Sequence, residues 1–162
     1  MAVENKWVDA NVAAGKKGNP GIIGPGQVFS LAQTFEVAAA DDDGSVYKLG
    51  IVGANMIPLK VEWNNDAIAG ATSYDLGFYS EAGVAVDKDI LMAAHDINAG
   101  AAMGSEIDGM HDLPIDKIGK KVYELLGKTL TTKENAYVLA VTANTVGTAA
   151  GTISVRASFI QG

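Results

Sequence analysis

Cysteine is absent from the 162-residue chain, which excludes disulfides, thiolate zinc sites, iron–sulfur clusters and cysteine nucleophiles. Arginine occurs once, at Arg156, and twelve basic residues face nineteen acidic ones, for a net charge of −7. Proteins that track phosphate backbones concentrate Lys and Arg, so this balance argues against nucleic acid and anionic membranes as partners. No apolar run approaches the roughly 20 residues a membrane helix needs. The stretch Met1–Trp7 lacks the basic-then-apolar layout of a secretion signal, and a cytoplasm is the expected site of synthesis. Large side chains are also scarce: 4 Phe, 5 Tyr and 2 Trp stand against 25 Ala and 19 Gly. Small methyls at that density suit tight strands and turns more than a bulky enzyme core.

What is present divides into an arm and a body. Residues 1–26 carry the turn signals Gly15-Lys16-Lys17-Gly18-Asn19-Pro20-Gly21 and Gly24-Pro25-Gly26, which oppose both helix and central strand. Trp7, Val8, Ile22 and Ile23 are nonetheless apolar. They either pack on their own domain or order on a partner. With Lys16 and Lys17, they are the candidate partner-binding residues of an extended arm. The body, 27–162, reads as one domain with neither an internal repeat nor a second unit.

The body is a series of short strands. Phe29, Leu31, Gln33, Phe35 and Val37 alternate, as do Ile57, Leu59, Val61 and Trp63 against Pro58, Lys60 and Glu62. Further strands are expected at 46–52, 72–79, 84–86, 136–142 and 152–160. Residues 147–151 are expected to link the last two as a loose hairpin. Ile90, Leu91, Ala94 and Ile97 have helical spacing, and Asp87 or Asp89 could cap a short helix over 87–97. A second helical stripe runs through Ile115, Ile118, Val122, Leu125 and Leu126, with Pro114 before it and Gly127 after it. Residues 98–113 have no period and read as a long loop. Many strands with helices only as insertions predict a mainly β protein: an antiparallel β-sandwich or jelly roll with one or two short helices and an extended N-terminal arm.

Motifs that carry chemistry are few. Gly127-Lys128-Thr129 matches the tail of a phosphate loop, but Val122 stands where the pattern needs glycine and a helix precedes it. His111 lies among Glu106, Asp108, Asp112 and Asp116, and residues 87–116 hold seven carboxylates and one Lys. The close alternation of a calcium loop is missing, so a solvated acidic face is expected and no metal. Asp41-Asp42-Asp43-Gly44 reads as a turn. No Gly-x-Ser-x-Gly elbow is present, and nothing nominates a carboxylate pair. Tyr74 and Phe78 share a strand face and suit core packing better than a sugar platform. No catalytic residue and no cofactor are expected, and a binding or structural role is favoured over an enzyme.

The strand texts carry a resemblance. Asp42-Asp43-Gly44-Ser45-Val46-Tyr47-Lys48-Leu49 is followed by Asn55-Met56-Ile57-Pro58-Leu59. The run Gly-Ala-Thr-x-Tyr-Asp-Leu-Gly-x-Tyr from Gly70 to Tyr79 is the most specific part, and Ala150-Gly151-Thr152-Ile153-Ser154-Val155 closes the chain. From about residue 35 onward, this resembles the capsid decoration, or cement, proteins of tailed bacteriophages; the arm is not covered. The resemblance implies a β-sandwich that binds the outer surface of an icosahedral capsid and stabilises it. The major capsid protein would be its partner, and a homotrimer its form on the virion. The alternative is a phage tail or fibre module that binds host carbohydrate.

Overall fold

The structure is a computed structural model and describes residues 3, 5–8, 26–101, 107–130 and 135–162. Among the described residues, nine strands form two sheets. The first has the order β1 (Asn5–Trp7), β3 (Ser45–Gly53), β8 (Ala136–Thr145), β5 (Ser73–Tyr79), β6 (Ala85–His95). The second has the order β2 (Val28–Val37), β9 (Gly151–Gln161), β4 (Met56–Asn65), β7 (Ile107–Asp108). All pairs are antiparallel except β1 with β3. From β2 to β5 each connection crosses between sheets, β5 and β6 form a hairpin, and from β6 to β9 the chain crosses again. With the edge strand β1 set aside, the order leaves two four-stranded antiparallel sheets packed as a β-sandwich of jelly-roll topology, the expected fold class.

The core lies between the sheets. β2 alternates as read: Phe35 and Val37 are buried, and Phe29 and Leu31 pack against the core from half-buried positions. Tyr47, Leu76, Phe78, Leu139 and Val141 meet it from the first sheet; Trp63, Ile153, Val155 and Phe159 meet it from the second. The Gly70–Tyr79 run has a structural explanation. Gly70 turns with φ 77°. The hydroxyl of buried Tyr74 donates to the Val146 carbonyl at 3.0 Å. Gly77 leaves room for the main chain of Asp87 and Lys88, which a Cβ would overlap.

Four expectations are corrected. Residues 87–97 are not helical, because β6 continues to His95 with Ile90, Leu91 and Met92 consecutively buried. Its register against β5 slips, from Leu76 opposite Met92 to Phe78 opposite Asp87, so apolar residues cluster at a bulge rather than on a helix face. The helix over 115–126 breaks into a 3-10 turn, Ile115–Lys117, and α1 (Val122–Leu125), separated by Gly119 at φ 77°. Ile115 and Ile118 thereby face solvent, while Val122 and Leu125 are buried. Residues 147–151 form no hairpin, since β8 pairs with β3 and β5 whereas β9 pairs with β2 and β4. In β4 a bulge between Pro58 and Lys60 reverses the phase: Met56 and Pro58 point inward, Leu59 outward, and Val61 and Trp63 inward again. Within the expected loop over 98–113, Ile107–Asp108 add the short strand β7.

Candidate attachment surface

The N-terminal strand sits on the edge of the five-stranded sheet. Asn5, Lys6 and Trp7 pair in parallel with Val46, Tyr47 and Lys48, and the Val8 N–H donates to the Lys48 carbonyl at 2.9 Å. Trp7 packs, half-buried, on an apolar cluster of Val46, Tyr79, Val138 and Ala140 on the outer face of that sheet. The Lys48 ammonium stands 5.5 Å from the Trp7 ring centre, a cation–π distance. Lys6 reaches the Asp41 carboxylate at 3.5 Å, and the Tyr47 hydroxyl donates to the same carboxylate at 2.6 Å. Val8 is half-buried against the main core. Trp7 and Val8 thus contact their own domain, while Lys16, Lys17, Ile22 and Ile23 lie outside the described residues.

The same outer face continues across β5 and β6. Asp75 is buried there, 2.9 Å from the Lys88 ammonium and 2.8 Å from the Ala94 N–H that donates to it. Burial alone would raise the Asp75 pKa. The Ala94 N–H, Asn144 and Lys88 outweigh it and hold the carboxyl below its ordinary range. Ala94 adopts φ 49°, a left-handed conformation for a non-glycine residue. The opposite sheet presents a different outer face. Ala32, Thr34, Glu62, Asn64, Ser154 and Arg156 line a shallow depression of about 730 Å³. The Thr34 and Ser154 hydroxyls are 2.8 Å apart, and Arg156 reaches Glu62 at 3.4 Å.

The residues with possible chemistry are held structurally. Asp41 accepts from the Ala38 N–H at 3.2 Å, Asp43 accepts from the Val146 N–H at 2.9 Å, and the Asp42 carbonyl accepts from the Ser45 hydroxyl at 2.6 Å. Each aspartate of the run serves a separate part of the turn. Gly127 ends α1 at φ 62°, so Lys128 follows a helix terminus, not a strand. Burial, with Asp41 and Asp43 nearby, pushes the Tyr74 hydroxyl far up and keeps it protonated. His95 and His111 meet with ring centres 6.0 Å apart, and His111 contacts Asp112 at 3.1 Å. Among the described residues, no three His, Cys, Asp or Glu side chains are grouped to hold a metal ion.

No family model matches the chain, and no curated protein matches it. Solved structures do share its fold. A chain from the capsid of Ralstonia phage GP4 is 17% identical; the alignment covers 97% of this chain and 99% of that one, at a TM-score of 0.65. A chain from the cyanophage Pam1 capsid asymmetric unit is 16% identical, with 88% and 91% covered and a TM-score of 0.51. A chain from the acidic stable capsid structure of Helicobacter pylori bacteriophage KHP30 is 15% identical, with 84% and 89% covered and a TM-score of 0.52. All three neighbours are components of phage capsid structures.

Proposed function

We propose that this chain is a structural virion protein that binds the outer surface of an icosahedral phage capsid and stabilises it. The carrying observation is the fold match with a chain of a phage capsid, which covers 97% of this chain and 99% of the other. Such coverage makes the capsid component and this chain equivalent in extent as well as in topology. The proposed partners are the major capsid protein and further copies of the chain, arranged as a trimer. No catalytic role is proposed. The net charge of −7 supports an outward location, because like-charged decorated particles repel one another.

The arm over 1–26 is part of this reading, with Trp7, Val8, Lys16, Lys17, Ile22 and Ile23 as its contact residues. Lys6, Lys16 and Lys17 outnumber Glu4 and Asp9, so the arm is slightly positive and the body acidic. Mass spectrometry of purified virions tests the role: hundreds of copies per particle support decoration, and a few dozen or fewer support a tail or fibre module. Deleting residues 1–26 tests the arm. The expected result is a folded domain with much weaker capsid occupancy. Undiminished decoration would transfer the contact to the sandwich itself.

A further inference from the structure

Three side chains meet on the outer face of the five-stranded sheet. The sheet order sets β5 between β8 and β6, so Asp75 of β5 stands between Asn144 of β8 and Lys88 of β6. The Lys88 ammonium is 2.9 Å from Asp75 Oδ2 and donates to Asn144 Oδ1 at 2.6 Å. The Ala94 N–H donates to the other Asp75 oxygen at 2.8 Å, and the Asn144 amide nitrogen donates to the Ser73 hydroxyl at 3.2 Å. Backbone irregularities surround this meeting point. The β5–β8 register slips between Ser73 and Tyr74, beside Asn144, and the β5–β6 register slips between Leu76 and Phe78, beside Lys88. Ala94, whose N–H fixes Asp75, is the residue with the left-handed backbone.

An ion pair alone needs no carboxamide. Here the lysine nitrogen bridges a carboxylate and a carboxamide at once, and the Asp75 side chain is 5% exposed. The amide carbon lies one C=O bond, about 1.2 Å, behind Asn144 Oδ1, so Lys88 Nζ is within about 3.8 Å of it. That is close to the roughly 3–3.5 Å of a near-attack arrangement. Nucleophile, electrophilic carbon and proton carrier are thus held together by three neighbouring strands.

We propose that Lys88 and Asn144 become joined by an isopeptide bond, which the chain forms itself with Asp75 as proton carrier. The Lys88 ammonium gives a proton to Asp75 Oδ2, and the neutral amine attacks the Asn144 amide carbon. The bond from that carbon to Nδ2 breaks as Asp75 returns the proton to Nδ2. The departing ammonia takes the second amine proton and leaves as ammonium. One secondary amide remains, Asp75 ends as a carboxylate, and no oxidant or cofactor is consumed. Burial is the largest influence on Asp75 and favours its neutral form, while Lys88 is among the groups that oppose it. Once Lys88 is neutral, its opposition is gone and the carboxyl can hold the proton. The bond ties β6 to β8 across β5, joining residues 56 apart in a chain with no cysteine for a disulfide. It reinforces a β5–β6 ladder that three register shifts interrupt. The inference does not depend on the decoration reading.

Intact-mass spectrometry of the full chain, freshly purified and after prolonged incubation, tests it. The wild type is expected to weigh one ammonia less than its sequence, and proteolysis should release a branched peptide joining Lys88 to Asn144. Trypsin should not cut after Lys88. Lys88→Arg, which keeps a cation beside Asp75, and Asn144→Ala should both show the full mass and melt at lower temperature than the wild type. Asp75→Asn should also stay unlinked; a branched peptide from that variant would overturn the role of Asp75. A wild type of full mass at both times overturns the bond. An ammonia loss that persists in Lys88→Arg without a branched peptide belongs to cyclisation of an asparagine and overturns it equally.

Discussion

The two outer faces of the sandwich differ sharply. On the four-stranded sheet, β9 alternates between core-facing Ile153, Val155, Ala157 and Phe159 and outward-facing Thr152, Ser154, Arg156 and Ser158. On the five-stranded sheet, the first eight residues of β8 are all buried. Leu139 and Val141 point to the main core, whereas Val138 and Ala140 join the cluster under Trp7 on the other side. One sheet has a dry and a wet face, while the other is covered on both faces through its centre. An alternating strand text therefore marks an open face, and a continuous apolar text marks a covered one.

The largest expected effect breaks this comparison directly. Val138→Asp would place a charge without a partner in the covered cluster and should cost about 4 kcal/mol or more. Ser30→Asp, on the exposed face of β2, should stay within about 0.5 kcal/mol of wild type. Urea midpoints of the two variants decide. Equal midpoints would mean that the β8 outer face is wet and that its cover by the N-terminal strand contributes nothing.

The comparison also explains what the sequence made legible. Alternation identified β2 and β9, where one face meets water. It misplaced β6, because Ile90, Leu91 and Met92 are buried together at a register slip, and three consecutive apolar residues fit a helix equally well. It could not place β8 and β9 in different sheets, since partner choice is a long-range property. Trp7 and Val8 stood out as apolar residues in a glycine-rich arm, but nothing local specified a parallel pairing with β3. The exposure of Leu59, Ile115 and Ile118 was hidden for a related reason. Each residue faces outward because of one backbone irregularity, a bulge after Pro58 or a positive φ at Gly119, and both periodic patterns run straight through it.

A middle-sized effect concerns the end where the sheets are closed. The Tyr123 N–H of α1 donates to the Ala54 carbonyl at 3.1 Å; Leu125 is buried, and Leu126 packs against the main core from a half-buried position. Leu125→Ala should cost roughly 2–5 kcal/mol through lost transfer energy and the cavity left behind. Leu126→Ala should cost clearly less. An unchanged melting curve for Leu125→Ala would show that this end of the sandwich stays closed without the helix.

The smallest effect probes the seam between the two sheets. His95 ends β6 in the first sheet, and His111 follows β7 in the second. The His95 ring lies edge-on to Trp63 at 5.9 Å, and its buried Nε2 has no hydrogen-bond partner among the described residues. Around it stand His111, Asp112 and Asp96; across β5 lies Tyr74, whose hydroxyl is held by Val146. Burial first, and then His111, lowers the His95 pKa from its ordinary 6.5, while Asp96 and Asp112 only partly oppose that shift. The unfolded chain therefore takes up the proton before the folded one. Stability should be full above pH 6.5, fall as the pH drops below that value, and stop falling once the lowered pKa is passed. Melting temperatures from about pH 7.5 to 5.5 should show a modest decline, and His95→Phe, which keeps a ring against Trp63 but cannot bind a proton, should remove it. A decline of equal size in His95→Phe would assign the pH dependence elsewhere and leave the seam a purely apolar joint.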